Sequence, residues 1–89
     1  MKILKLSENA GIKYDGENYM LFDNLTGNIY KLNELSYRIL SLCNGGNIDE
    51  DIILNITNGF DVTPQEAKKD FNDLMQILLD KKYIYYDGN

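Results

Sequence analysis

The sequence predicts an α+β domain: a three-stranded antiparallel meander, then three helices, then a short C-terminal run suited to a last strand or wing. Three observations carry this. Turn signals, Asp15-Gly16 and Asn24 to Gly27, separate strand-like runs between Ile12 and Leu32. Three helical patterns follow, each with its own start signal. Apolar residues make up 44% of 89 residues and charged residues 26%, which suits one folded domain with a small core.

The elements follow in order. Residues 1–10 read as a lead-in, 11–32 as the meander, 33–82 as the helices and 83–89 as the strand or tail of a single domain. Asp15-Gly16 accepts the positive φ angles of a tight hairpin. "YMLFD", Tyr19 to Asp23, and "NIYKL", Asn28 to Leu32, are the next two strands, with partly apolar residues on both faces because side chains alternate. Asn33 is a candidate N-cap, with Leu32 and Tyr37 placed as a hydrophobic staple and Leu35, Ile39 and Leu42 sharing a stripe. This helix is expected to stop at "NGG", where Gly45 or Gly46 can take the left-handed conformation. Asp49 is expected to cap the second helix, which turns Ile52, Ile53 and Ile56 inward and stops at "TNGF". Thr63, Pro64 and Glu66 spell a capping box with proline at the first helical position. Ala67, Phe71, Leu74 and Leu78 then lie on one face, with Met75 beside them, and Lys81 and Lys82 suit the C-terminal dipole. Tyr83 to Tyr86 is short, aromatic and β-branched.

Composition narrows the chemistry. The chain has one cysteine and no histidine, which removes intramolecular disulfides, Cys/His zinc clusters and Ser-His or Cys-His catalysis. Cys43, inside an apolar helical stretch, reads as a small core residue. Asp70 and Asp73 share a helix face at i, i+3 but lack the partners that acid-base or metal work requires. No cofactor and no enzymatic activity are expected. No apolar run reaches the ~20 residues of a membrane span, so a cytoplasmic protein without membrane partners is expected.

The net charge of −5 is unevenly placed. Residues 1–46 carry five acids and five bases, whereas residues 47–89 carry nine acids and four lysines. This bears on the rival reading, a winged helix-turn-helix DNA binder with its motif at Asp49 to Asp80. Residues 47–63 hold four acids and no base, and residues 64–82 hold four of each sign. A major-groove reader needs positive charge there to neutralise phosphates, so nucleic acid is not expected as a partner. A plain dimerisation module using the tyrosine-rich faces is the remaining alternative, and the expected state is monomer or weak homodimer.

Leu32-Asn33 at the strand-to-helix junction, "ILSLCNGG" in the first helix, Ile52, and "KDFNDLMQILLDKKYI" at the end give the chain a resemblance. It resembles the PqqD-like proteins, also called RiPP recognition elements, over roughly Ile12 to Ile84. Asp70-Phe71, Leu74-Met75 and Lys82-Tyr83-Ile84 stand at the family's patterned positions, with Lys82 where the family has glycine. The resemblance implies a winged-helix-like domain that binds the leader of a ribosomally made precursor peptide. The leader would join the sheet edge as an extra strand, and the domain would present it to a modifying enzyme such as a radical SAM enzyme, a cyclase or a leader peptidase.

The residues agree with that mode physically. The third strand ends in a capped helix rather than a hairpin, so one edge can remain free, with N–H and C=O groups that an extended peptide can satisfy. The expected cleft is lined by Asn28, Ile29, Tyr30, Lys31 and Leu32 from the strand and by Asp70, Asp73, Leu74 and Ile77 from the last helix. Ile77 lies roughly 60° off the apolar stripe and is placed to form a pocket wall.

Overall fold

In the computed structural model, which describes residues 2–88, the chain order is β1 (Ile3–Leu6), β2 (Ala10–Tyr14), β3 (Tyr19–Asp23), β4 (Ile29–Leu32), α1 (Glu34–Ser41), α2 (Asp49–Gly59), α3 (Pro64–Asp80) and β5 (Ile84–Asp87). The strands form two sheets: β2-β3-β4, all antiparallel, and an antiparallel β1-β5 ribbon. The meander and the three helices are as the sequence predicts. The lead-in is more than that, since it contains β1, which pairs Ile3 with Asp87 and Leu6 with Ile84.

Local chemistry accounts for each junction. At the β2-β3 turn the Asp15 carboxylate accepts from the N–H groups of Glu17 (2.9 Å) and Asn18 (2.7 Å), while Gly16 takes φ 99°. Those amide bonds hold the Asp15 carboxyl below its ordinary range. Asn33 caps α1 by accepting from the Ser36 N–H at 2.7 Å. Tyr37 on α1 lies against the Tyr19 ring at 4.8 Å, and Tyr14 stacks on Tyr19 at 4.4 Å, which ties α1 to the sheet.

Two helix ends depart from expectation. α1 closes at Ser41, earlier than the glycines, because the Leu42 N–H bonds back to the carbonyls of Arg38 and Ile39 and tightens the last turn. Ile48, not Asp49, is the N-cap of α2. Its N–H donates to the Asp51 carboxylate at 3.1 Å, so the third helical residue supplies the cap and Asp49 sits in the first turn, where the dipole favours an acid. At α3 the capping box forms as spelled: Thr63 accepts from the Glu66 N–H and Glu66 accepts from the Thr63 N–H, both at 3.2 Å.

The core gathers residues from every layer, among them Leu4, Leu21, Ile39, Leu40, Ile52, Ile56, Phe71 and Leu78. Each large apolar side chain buried there contributes about 1.5–3 kcal/mol. On α3 the buried stripe is Ala67, Phe71, Met75 and Leu78, with Leu74 only half-buried. The stripe steps by four, four and three, so it drifts around the helix and leaves Leu74 on the flank towards α1. No helix among the described residues is long and apolar enough to cross a membrane.

Candidate functional site

In the order β2-β3-β4, strand β4 has a partner on one side only. Its register fixes which groups are free. The Asp23 N–H donates to the Asn28 carbonyl at 2.9 Å, so Asn28, Tyr30 and Leu32 are the positions whose backbone groups turn towards β3. The N–H and C=O of Ile29 and Lys31 therefore point to the open edge.

Side chains alternate the other way. Tyr30 pairs with buried Leu21, and Leu32 packs against the core, so these two share the face covered by the helices. Ile29, 59% exposed, and Lys31 lie on the opposite face with Phe22 and Met20. What Ile29 and Lys31 bring to the cleft side is backbone, not side chain. Asn28 precedes the strand and donates through its side-chain amide to the Tyr30 hydroxyl at 3.3 Å.

Asp70, Asp73, Leu74 and Ile77 come together with Asn33, Leu35, Ser36 and Ile39 around a groove of about 310 Å³ between α3 and α1. Leu74, Leu35 and Ile39 supply apolar walls, and Ile77, 54% exposed, extends them outward. Asp73 is ion-paired with Lys69 at 2.8 Å, which raises the lysine's pKa, whereas Asp70 forms no salt bridge among the described residues. Asn33 is the link, because the residue that follows β4 lines the groove. Asn28 to Leu32, expected as cleft lining, do not themselves line this groove; β4 reaches it only through Asn33. A larger groove of about 480 Å³, between α2 and α3 and including Ile53, Leu54 and Pro64, contains neither a β4 residue nor Asn33.

The α1 contribution was hidden in the sequence because Leu35 and Ile39 read as ordinary core. Tyr83, which the sequence did not single out as a site residue, lies outside the groove lining but backs β4. Its ring lies 6.4 Å from that of Tyr30, and its hydroxyl donates to Asp23 at 2.8 Å. That bond, with the N–H groups of Thr26 and Leu25, holds the Asp23 carboxyl below its ordinary range and pushes the Tyr83 hydroxyl up. Tyr83 reaches this place because Lys82 takes φ 63° and the Tyr83 N–H bonds back to the Leu78 carbonyl at 3.0 Å. The signal available was the lysine at a position where the family pattern has glycine.

An open strand edge beside an apolar groove can bind an extended peptide: backbone groups pair along the edge, and side chains enter the groove. Among solved structures, one described as "TbiB1 in Complex with the TbiA(beta) Leader Peptide" superposes with a TM-score of 0.79 at 22% identity, covering 96% of this chain and 99% of the other. One described as "Lasso peptide synthetase B1 complexed with the leader peptide" gives 0.78 at 18% identity, covering 92% and 96%. These likenesses establish the shared fold. No curated protein sequence matches the chain. The family described as Coenzyme PQQ synthesis protein D matches residues 18–84, from β3 through the first residue of β5, and over that span the chain belongs to the PqqD family.

Proposed function

We propose that the chain binds the leader segment of a ribosomally made precursor peptide by strand addition to β4 and presents it to a modifying enzyme, carrying out no chemistry itself. The observation that carries the proposal is the open β4 edge, with the Ile29 and Lys31 amides outward, running directly into the α1-α3 groove. Membership of the PqqD family and likeness to two proteins solved with leader peptides support it. The DNA-binding alternative gains nothing from the structure, because the first turn of α2 carries Asp49, Glu50 and Asp51.

The leader would lie antiparallel to β4, with Ile29, Lys31 and their carbonyls setting register and with Tyr30, Leu32, Leu74 and Ile77 meeting its side chains. Proline separates these roles. Lys31→Pro or Ile29→Pro removes an outward N–H, leaves the β3-β4 bonds in place and weakens leader binding strongly. Tyr30→Pro removes an inward N–H and damages the sheet itself. Ile77→Asp costs roughly 1–3 kcal/mol of affinity by setting a charge against apolar leader side chains. Titration of each variant with the cognate leader, beside circular dichroism for the fold, is the test. Unchanged affinity in both edge-proline variants and in Ile77→Asp, with the fold intact, would place the leader elsewhere.

A further inference from the structure

The groove also constrains the chemistry of the peptide it would hold. Resting on the strand-addition reading, we infer that the leader carries a lysine or arginine two residues before a large apolar anchor. The anchor sits between Leu74, Ile77 and Leu35, and the cation sits at Asp70.

Direction comes first. Along α3, Asp70 to Ile77 line the groove with Asn33, which follows β4, whereas Tyr83, just past the helix, lies beside Tyr30 within β4. α3 therefore runs opposite to β4. A peptide antiparallel to β4 runs parallel to α3, so it passes Asp70 before it passes Leu74. Its strand-forming residues come afterwards, along Leu32 to Ile29.

Spacing and charge then fix the pattern. Four helical steps lead from Asp70 to Leu74, an axial distance of about 6 Å. Two residues of extended peptide cover about 6.6 Å and return the side chain to the same face. The residues around the groove include two carboxylates and no base. Lys69 is nearby and feels the Asp70 charge, but its ion pair at 2.8 Å is with Asp73, and Asp70 forms no salt bridge among the described residues, so it has room for a cation. The apolar walls make the groove more than an acidic surface, since they hold the neighbouring residue that brings the cation into place.

The probe is a phage-displayed library of random 12-residue peptides panned on the full chain, with recovered sequences resynthesised and titrated. The expected result is a shared basic-x-apolar pattern ahead of a β-forming stretch. Asp70→Asn should weaken these peptides about two- to fivefold, the scale of an exposed ion pair, and should flatten their salt dependence. Asp70→Lys should redirect selection towards peptides with Asp or Glu at the same place. Asp70 is exposed, so neither variant threatens the fold. Peptides that bind and lose affinity in Lys31→Pro, but show no basic preference and ignore Asp70→Lys, would overturn this inference and leave strand addition standing. Peptides indifferent to Lys31→Pro, or no binding peptides at all, would overturn both.

Discussion

Lys82 is the one non-glycine residue with positive φ among those described, at 63°. It stands at the position after the α3 cap, where the Lys82 and Tyr83 N–H groups bond back to the carbonyls of Leu79 (3.1 Å) and Leu78 (3.0 Å). The hydrogen bonds demand the left-handed conformation, and a side chain there costs about 1–2 kcal/mol. Lys82→Gly should therefore raise stability by about 1 kcal/mol in urea unfolding, even after the extra freedom of the unfolded glycine is counted. An unchanged or lower midpoint would mean that the lysine stem offsets its own strain. Cys43 shows the opposite case: its burial was plain from the sequence, although it lies just past the Leu42 cap of α1 rather than inside a helix. It is buried, its Sγ donates to the Ile39 carbonyl at 3.3 Å, and burial pushes its thiol up to about 12. Alkylation at pH 8 should accordingly be far slower than for free cysteine. Cys43→Ser should lower stability by about 1–2 kcal/mol, because the hydroxyl is costlier to bury, while peptide affinity stays unchanged.

At the scale of elements, the meander strands, α1 and α3 were legible because their junctions carry their own stop and start chemistry: Asp15-Gly16, Asn33, and Thr63 with Glu66. The groove was half legible. Asp70, Asp73, Leu74 and Ile77 follow from the period of one helix, but the wall from α1 depends on how two helices lean together, which no local pattern encodes. Nor does a strand's sequence reveal which of its amides face outward; that phase is set by one bond, from the Asp23 N–H to the Asn28 carbonyl. Asp23 also ties the end of β3 to Tyr83, just past α3. Its folded carboxyl titrates below the unfolded one, so the stabilisation it lends is complete above about pH 4 and is lost as pH falls through the folded value. Asp23→Asn should thus be less stable than the parent at pH 7, with the gap narrowing at pH 3. Tyr83→Phe should shrink that pH-dependent difference, since the hydroxyl is the largest cause of the shift. A gap independent of pH would assign the effect of Asp23→Asn to the turn alone.

At the scale of the whole molecule, β1 and β5 hold each other and close the domain. β1 pairs with β5 on one side, and on the other it meets the loop between α1 and α2, through Leu4 N–H to Asn47 (3.1 Å), Gly45 N–H to Leu4 (3.0 Å) and Leu6 N–H to Cys43 (2.8 Å). Such a strand was unreadable in "ILKL", which has four residues, no hairpin turn and a partner at the other end of the sequence. Nonetheless it delivers Leu4, fully buried, to the core. Leu4→Ala removes that side chain where the surroundings relax only partly, at a cost of about 2–5 kcal/mol. A domain of this size has a total stability of only roughly 5 kcal/mol, so the variant should be substantially unfolded at 37 °C. The clasp contributes no residue to the α1-α3 groove. Leader affinity, corrected for the folded fraction, should therefore match the parent, and saturating leader should restore the folded state by mass action. Thermal unfolding with and without peptide measures both quantities. A normal midpoint would show that the clasp is dispensable, and a corrected affinity well below the parent's would show that it shapes the binding site from a distance.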